Sequence, residues 1–501
     1  MHETTGNGRQ TTVLKMRAFN TTTKGTTKRG ENEEVMSRIA IIGAGLSGRL
    51  LALNLLRIAS SDGAVSVRML DRGDERYMGP AYSYEADYLL LNVPAGRMGA
   101  FSEYPEHFLT WNRDKGTRAG PWDFLPRRLY RDYILGLVRE AQARAGGTTF
   151  EHVRGEVTDV DTEGGCVTIH VEDKGPIVVD KAVLALGNFP PRHPPVENRS
   201  ALESERYIRN PWDLGVLDCL SRRDTVFLIG TGQTTVDLAV ALHRRAHEGR
   251  IIALSRRGLL PLEHRGFDPY GSFFEEIKES KTILSTFRIV CKHLDRAESM
   301  GIDKRAVIDS LRPDTQTIWL GLVEDEKRRF LRHLFRYWEI IRSRIPPESK
   351  AVIDAMRASG QLDVLAGRIR DLAESEAAVE VHYVLRGRTT HEVATAALVI
   401  NCIGPESDYR RIDHPLVRNL MRRGLIRPGP AHLGVDALLN GAIIGQNGAA
   451  SDVLYTLGSS MNGVLWEVLA VPEIRVQAER LARLLLHGDH RRRDASSTHA
   501  R

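Results

Sequence analysis

The 501-residue sequence has few cysteines, and the four that it has are far apart. None belongs to a C-x-x-C pair, which argues against a zinc knuckle and against a thioredoxin-type redox pair. So few thiols in a chain of this length are typical of a reducing compartment, and we expect a cytoplasmic protein. No metal site is predicted.

The sequence also lacks long apolar runs. No stretch approaches the roughly 20 apolar residues that a membrane-spanning helix needs, so no membrane partner is predicted. The first 35 residues are polar and lack the apolar core of a secretory signal. Because Met36 stands directly before the first predicted strand, we expect residues 1–36 to be a disordered leader, either appended or created by a misplaced start.

Excess charge of one sign is small. Lysine and arginine exceed aspartate and glutamate by six, and residues 1–35 and 487–501 account for +2 each. The +2 left for the rest of the chain gives no reason to expect a nucleic-acid partner, and residues 487–501 are predicted to be a disordered tail. The length and the hydrophobic content of 42% indicate a globular protein of more than one domain.

A complete G-x-G-x-x-G pattern follows a short apolar run that starts at Arg38. Gly43 permits a tight turn, Gly45 lets the backbone approach a pyrophosphate, and Gly48 lets the following helix pack closely on the strand. The next predicted strand ends at Asp71, 23 residues beyond Gly48, where an acid would bind ribose hydroxyls. The order of strand, turn, helix, strand and acid predicts a dinucleotide-binding fold rather than an ordinary glycine-rich turn.

A second nucleotide signal lies in residues 224–237, where Gly230 and Gly232 follow another apolar strand. Thr235 stands at the third glycine position, and a small residue there still permits close packing. The next strand ends at Ser255-Arg256-Arg257, without an acid. Two interpretations stay open: the guanidiniums bind the 2′-phosphate of NADPH, or they form a solvated basic turn.

Between and after these motifs the patterns are less specific. Glycine and proline punctuate residues 79–101, which are either connecting loops or the lining of a ligand cleft. Residues 272–358 are mostly helical and charged, and they either pack on the nucleotide domains or close a substrate cleft. Late helices are predicted over residues 464–470 and 473–486.

The combination of motifs resembles bacterial FAD-NAD(P)-binding oxidoreductases, among the flavoproteins with two dinucleotide-binding folds. The likeness runs from Ile39 to about Gln477, and the wider group includes monooxygenases that N-hydroxylate aspartate, ornithine or lysine. Many flavoproteins of this kind have Asp after the late glycine, whereas Ser459 follows Gly458 here. Besides the glycine motifs, the matching stretches are Gly79–Tyr82, Leu91–Pro94, Ala185–Pro191, Ser255–Pro261, Arg344–Pro347, Asn401–Gly404 and Trp466-Glu467.

The resemblance implies FAD on the first fold and NAD(P)H on the second. The fold class expected is α/β, with two Rossmann-like dinucleotide-binding domains, the second inserted in the first, and a mostly helical insertion. The expected boundaries are 37–195 and 401–486 for FAD, 196–271 and 359–400 for NAD(P)H, and 272–358 for the insertion. The residues expected to bind FAD or NADPH are Gly43, Gly45, Gly48, Asp71, Tyr82, Asn92, Gly187, Gly230, Gly232, Gln233, Thr234, Ser255, Arg256, Arg257, Gly404, Gly458 and Ser459.

The function expected is that of an FAD-dependent, NADPH-using oxidoreductase. With no C-x-x-C pair, electrons are not expected to leave through a disulfide, and molecular oxygen, an organic substrate or a protein partner could accept them. The resemblance favours molecular oxygen, hence monooxygenation, and within it N-hydroxylation of an amino acid. A reductase without oxygen insertion and a non-catalytic FAD-binding redox sensor are the alternatives. A substrate carboxylate would pair with arginine, and Arg97 and Arg265 lie in candidate cleft loops. Neither a proton-transfer residue nor an oligomeric state is predicted.

Overall fold

The computed structural model describes residues 36–62 and 64–488. The predicted leader up to residue 35 and the predicted tail beyond residue 488 lie outside the described residues. The strands of the described part are β1 Ser37–Ile42, β2 Val65–Asp71, β3 Thr149–Arg154, β4 Val157–Asp161, β5 Val167–Val171, β6 Ile177–Val179, β7 Lys181–Leu184, β8 Tyr207–Ile208, β9 Val226–Ile229, β10 Ile251–Ser255, β11 Leu362–Glu374, β12 Val379–Leu385, β13 His391–Ala396, β14 Leu398–Asn401, β15 Ala442–Ile444 and β16 Ala450–Thr456.

Helices cover both nucleotide folds and fill the insertion. Those of the described part are α1 Leu46–Asp62, α2 His107–Asp114, α3 Arg127–Arg144, α4 Gln233–Arg244, α5 Phe274–Ile277, α6 Ile283–Ser299, α7 Lys304–Asp309, α8 Thr315–Gly321, α9 Glu324–His333, α10 Phe335–Arg342, α11 Pro347–Ala358, α12 Pro415–Arg422 and α13 Val471–His487.

The first sheet has the strand order β15-β16-β7-β1-β2-β3. Its centre is parallel, since β1 pairs with β2 and β7, and β7 pairs with β16. The apolar run of β1 is buried on both faces, with Ile39 and Ile41 fully enclosed, as expected for a parallel strand covered by helices. Residues from both ends of the described chain therefore build one sheet.

The second sheet has the order β13-β12-β11-β10-β9-β14-β8, and all of its strands lie between β7 and β15 in sequence. The half that carries the second glycine motif is parallel. From Gly367 onward β11 forms an antiparallel meander with β12 and β13, with a bulge at Ile369–Asp371 in its pairing with β12. One Rossmann-like unit is thus inserted into another, and helices α5–α11 are inserted between β10 and β11. The predicted fold class is confirmed, while the exact domain boundaries stay a prediction.

The predicted helix over residues 464–470 is wrong. That stretch is a series of turns, and α13 begins only at Val471. Trp466 stacks on Trp319 of the insertion, with ring centroids 4.6 Å apart, and Glu467 has a left-handed φ of 63°. Long-range packing overrides the local apolar pattern here, because the backbone turns to bring both side chains onto the insertion.

Candidate cofactor sites

A cleft of about 1990 Å³ contains the ends of both glycine motifs, and the helical insertion lines one side of it. Of the two interpretations left open for the loops of residues 79–101, the structure therefore favours a cleft lining. Thirteen of the predicted site residues border the cleft, and Gly43, Gly48, Asp71 and Gly458 lie behind its surface. The thirteen are Gly45, Tyr82, Asn92, Gly187, Gly230, Gly232, Gln233, Thr234, Ser255, Arg256, Arg257, Gly404 and Ser459.

The three glycines of the first motif face three different surroundings. At Gly43, φ is +114° and a Cβ atom would lie 2.2 Å from the carbonyl oxygen of Ala185. At Gly48 a Cβ would lie 2.1 Å from the carbonyl oxygen of Gly43, so only glycine permits α1 to approach the turn. At Gly45 nothing lies within 4 Å of a Cβ. The open space at Gly45 fits a pyrophosphate that lies against the backbone at the amino end of α1.

Asp71 holds the first motif together through the backbone. One carboxylate oxygen accepts the amide of Ala44 at 2.8 Å, and the other accepts the amide of Gly73 at 2.7 Å. The side chain therefore fixes the turn between β1 and α1. Its predicted contact with ribose hydroxyls stays a prediction.

Two segments from distant parts of the chain meet beside this motif. The hydroxyl of Ser459 donates to the carbonyl oxygen of Gly187 at 2.8 Å, and the amide of Gly458 donates to the side-chain oxygen of Gln477 at 2.9 Å. Ser459 thus fixes the loop after β7 through this hydrogen bond. In the flavoproteins that the sequence resembles, Asp is frequent at this position. Gln477 was missed by sequence reasoning, because it lies on a helix whose pattern shows only a packing face.

Tyr82 and Gly404 both line the cleft. The ring of Tyr82 lies 5.5 Å from that of Tyr130, and burial raises the pKa of Tyr82 to about 12. Tyr82 is therefore a neutral phenol at physiological pH. Gly404 has a φ of +95° and open space around it, which leaves its backbone accessible from the cleft.

The second motif has the same division between a tight turn and an open approach. Gly230 has a φ of +129°, and a Cβ there would lie 2.4 Å from the carbonyl oxygen of Cys402. At Gly232 the nearest atom to a Cβ is a guanidinium nitrogen of Arg336, 3.9 Å away. The hydroxyl of the buried Thr235 donates to the carbonyl oxygen of Gly230 at 2.9 Å. Threonine at the third glycine position thus stabilises the turn.

Gln233 and Thr234 open helix α4, and Gln233 links three parts of the chain. Its side-chain oxygen accepts from the amide group of Asn92 at 2.9 Å, and its own amide group donates to the carbonyl oxygens of Ser343 at 3.2 Å and Arg344 at 3.3 Å. The loop of the first fold, the start of α4 and the segment between α10 and α11 of the insertion therefore meet at one glutamine.

The turn after β10 presents three different side chains. The Ser255 hydroxyl is 2.8 Å from the hydroxyl of Thr231 and accepts the amide of Gly258 at 3.0 Å. The guanidinium of Arg257 lies over the ring of Tyr337, 4.4 Å from the ring centroid, and so connects this turn to helix α10 of the insertion. Arg256 is exposed and has no hydrogen-bond or ion-pair partner among residues 36–488.

Arg256 lies in a strongly positive region. Although its side chain is exposed, partial desolvation by the surrounding protein and the charges of Arg192, Arg257, Arg368 and Arg336 lower its pKa. Because arginine side chains in proteins carry a positive charge at neutral pH, the cluster attracts an anion.

Residues 40–189 match the FAD-NAD(P)-binding family model. This FAD-NAD(P)-binding domain contains the first glycine motif, Asp71, Tyr82 and Gly187. No curated protein sequence shows significant similarity to the chain.

Solved structures share the whole two-nucleotide architecture. Ornithine hydroxylase from Pseudomonas aeruginosa is 16% identical, with a TM-score of 0.61 over 91% of this chain and 100% of that one. L-lysine 6-monooxygenase from Pseudomonas syringae is 16% identical, with a TM-score of 0.61 over 90% and 99%. The Kutzneria sp. 744 ornithine N-hydroxylase, solved with reduced FAD, NADP+ and L-ornithine, is 12% identical, with a TM-score of 0.61 over 92% and 100%. At such identities the likeness shows the fold.

A second group of arginines lies in the cleft near the start of α13. Arg312 is 3.6 Å from Glu473, and its pKa is lowered by burial and by the charges of Arg342 and Arg97. The Arg97 guanidinium lies 5.3 Å over the ring of Trp122 and has no carboxylate within 4 Å among the described residues. Arg312 was missed because the sequence pattern around it is that of a charged helical surface.

The two arginines that the sequence singled out differ in their surroundings. Arg97 belongs to the group just described, whereas Arg265 forms an ion pair with Glu263 and is 60% exposed. His264, which precedes Arg265 in sequence, donates from Nε2 to the carbonyl oxygen of Asn92 at 3.0 Å, and burial lowers its pKa to about 4. His264 is therefore neutral at physiological pH.

The described residues contain no helix that is both long and apolar enough to cross a bilayer. No cluster of three or more histidine, cysteine or acidic side chains able to hold a metal was found in the same part of the chain.

Proposed function

We propose that this protein is an FAD-dependent, NADPH-using monooxygenase that acts on a small polar metabolite, with N-hydroxylation of an amino acid as the best-supported reaction. The observation that carries the proposal is that Gly45 and Gly232, the two glycines with open space around them, border one cleft. The structurally similar ornithine and lysine hydroxylases support the choice of reaction.

In this proposal the first glycine motif and the amino end of α1 bind the pyrophosphate of FAD, and Ser459 holds the loop at Gly187 close to it. The second motif binds NADPH, with Arg256 at its 2′-phosphate. Bound FAD would accept a hydride from NADPH and supply the electrons for oxygen activation. The side chains of this chain bind and orient the three reactants.

The arginine group near α13 supports an anionic substrate. Arg97, Arg312 and Arg342 carry three positive charges, whereas Glu467 and Glu473 are the carboxylates within 4 Å of any of them in the described chain. One positive charge is left without a partner, and a substrate carboxylate would balance it by charge-assisted hydrogen bonds. We therefore propose that Arg97, rather than the paired Arg265, faces the carboxylate of an amino acid.

NADPH oxidation in air by the FAD-loaded protein tests the function. A panel of amino acids is compared with the amines of the same length that lack the carboxylate, and NADPH, hydroxylamine product and hydrogen peroxide are measured together. Formation of hydroxylamine product in proportion to the NADPH oxidised identifies a monooxygenase. Turnover only with an added electron acceptor would indicate a reductase, and no turnover at all would indicate a binding protein.

A matched pair of variants tests the substrate assignment. Arg97→Gln is expected to raise the Michaelis constant for the amino acid by about ten- to a hundredfold, since a hydrogen bond between charged groups contributes roughly 1.5–3 kcal/mol. Arg265→Gln removes the same charge from an exposed ion pair and is expected to change the Michaelis constant for the amino acid little. Equal effects of the two changes would contradict the assignment.

A further inference from the structure

We propose that Arg336, in the helical insertion, is a phosphate-binding residue of the NADPH site and contacts the pyrophosphate of the coenzyme. The inference rests on the proposed NADPH site, and it adds a ligand that comes from outside the nucleotide fold. Arg336 lies on α10, 105 residues from Thr231 of the second glycine motif. Neither the glycine pattern nor the turn after β10 predicts it.

The position of Arg336 is set by the second glycine loop itself. One nitrogen of its guanidinium donates to the carbonyl oxygens of Thr231 at 2.9 Å and Leu259 at 2.8 Å. The other terminal nitrogen is the atom nearest to the open side of Gly232, 3.9 Å from a Cβ built there. The guanidinium therefore borders the space into which the backbone at Gly232 opens, which is where the motif would receive a pyrophosphate.

The local charge favours an anion in this space. Helix α4 begins at Gln233 with Gly232 as its N-cap, and no side chain caps it. Its first amides lack helical acceptors and carry a partial positive charge, and a guanidinium beside them increases the positive potential. The terminal nitrogen of Arg336 that lies nearest to Gly232 also forms an ion pair with Glu339 on the same helix, the one carboxylate that pairs with Arg336 in the described chain. The positive potential of the first amides of α4 adds to this pair.

The positive potential around Arg336 extends to the turn after β10. Arg336 is one of the cations whose charge lowers the pKa of Arg256, so both guanidiniums lie in one positive region. A dinucleotide with a 2′-phosphate has its negative charge in two places, on that phosphate and on the pyrophosphate. Arg256 and Arg336 provide one cation for each.

Helix α10 is held in place at its other end, which keeps Arg336 in position. Arg342 forms an ion pair with Glu467 at 2.9 Å, and both side chains are about 15% exposed. The ring nitrogen of Trp338 donates to the other oxygen of Glu467 at 2.6 Å. The strained turn at Trp466-Glu467 thus fixes α10, and a fixed guanidinium loses little conformational entropy when it binds an anion.

Binding to the FAD-loaded protein, measured by calorimetry, tests the inference without turnover. Three ligands separate the phosphates: NADP+ has both, NAD+ has only the pyrophosphate, and adenosine 2′-monophosphate has only the 2′-phosphate. Arg336→Gln is expected to weaken NADP+ and NAD+ by about ten- to a hundredfold each and to leave adenosine 2′-monophosphate unchanged. Arg256→Ala should weaken NADP+ and adenosine 2′-monophosphate and leave NAD+ unchanged.

Arg328→Gln is the matched control, because Arg328 lies on the insertion in an ion pair with Glu324, away from the cleft. It is expected to change none of the three affinities. Unchanged binding of adenosine 2′-monophosphate and unchanged flavin content show that Arg336→Gln is folded, and Arg336→Lys should recover part of the lost affinity.

Three results would overturn the inference, and they differ from one another. If unmodified protein binds NADP+ but Arg336→Gln binds it equally well, Arg336 is not a phosphate ligand and the proposed NADPH site stands. If Arg336→Gln weakens the binding of all three ligands equally, Arg336 supports the fold and is again not a phosphate ligand, and the proposed NADPH site stands. If the unmodified protein binds neither dinucleotide, the proposed function fails and the inference fails with it.

Discussion

Valine at Gly45 should impair FAD binding with little effect on folding, whereas valine at Gly48 should impair folding itself. Both residues belong to one motif three residues apart, yet a Cβ atom meets nothing within 4 Å at Gly45 and lies 2.1 Å from a backbone oxygen at Gly48. Neither position has a left-handed φ, so backbone strain does not complicate the comparison. The same substitution therefore tests open space at one site and close packing at the other.

The magnitudes follow from these surroundings. Gly45→Val should change the free energy of unfolding of the apoprotein by less than about 1 kcal/mol, since the side chain enters empty space. It should lower FAD affinity more than about a hundredfold, because losing two hydrogen bonds between backbone amides and the pyrophosphate costs about 3–6 kcal/mol. Gly48→Val should lower the free energy of unfolding by more than about 3 kcal/mol, because a backbone carbonyl cannot move aside as a side chain can.

Urea unfolding of the apoprotein measures the first quantity, and titration of flavin fluorescence measures the second. Gly45→Val with unchanged FAD affinity would show that the pyrophosphate does not lie against this backbone. Gly45→Val with a strongly lowered stability would show that the space is not open in the folded protein. Either result would refute the assignment of the first nucleotide site.

Three further predictions concern other parts of the molecule. Arg256→Ala should raise the Michaelis constant for NADPH about ten- to a hundredfold and leave that for NADH unchanged, whereas Arg257→Ala should have the smaller effect, because Arg257 already stacks on Tyr337; equal losses for both coenzymes would contradict a 2′-phosphate site. His264 has a pKa of about 4 in the folded protein and about 6.5 in the unfolded chain, so the unfolded chain binds the proton first. As the pH falls from 6.5 to 4, this should lower the free energy of unfolding by about 3 kcal/mol. His264→Asn should remove that part of the pH dependence measured by urea unfolding. Removal of residues 1–35 should leave flavin content and melting temperature unchanged, because this polar segment offers little apolar surface to bury; a large loss of either would show that the segment docks.

Local sequence determined both nucleotide motifs. Gly43, Gly45 and Gly48 form one short pattern at the turn between β1 and α1, and Asp71 at the end of the next strand binds the backbone of that turn. Two copies of one local pattern along the chain indicated two nucleotide folds, whereas the insertion of one fold into the other was expected from the resemblance to flavoproteins with two dinucleotide-binding folds. Such features depend on contacts that are close in sequence or on a regular repeat, so a single sequence reveals them.

Tertiary structure alone decided the contacts between distant segments. The pattern over residues 464–470 predicted a helix, but stacking of Trp466 on Trp319 and the hydrogen bond from Trp338 to Glu467 hold it as turns. Arg336 looked like one charge among many on a helical surface until the fold brought it to Gly232. No local pattern records which of many surface arginines will face a cleft, because that depends on how the insertion packs on both nucleotide folds.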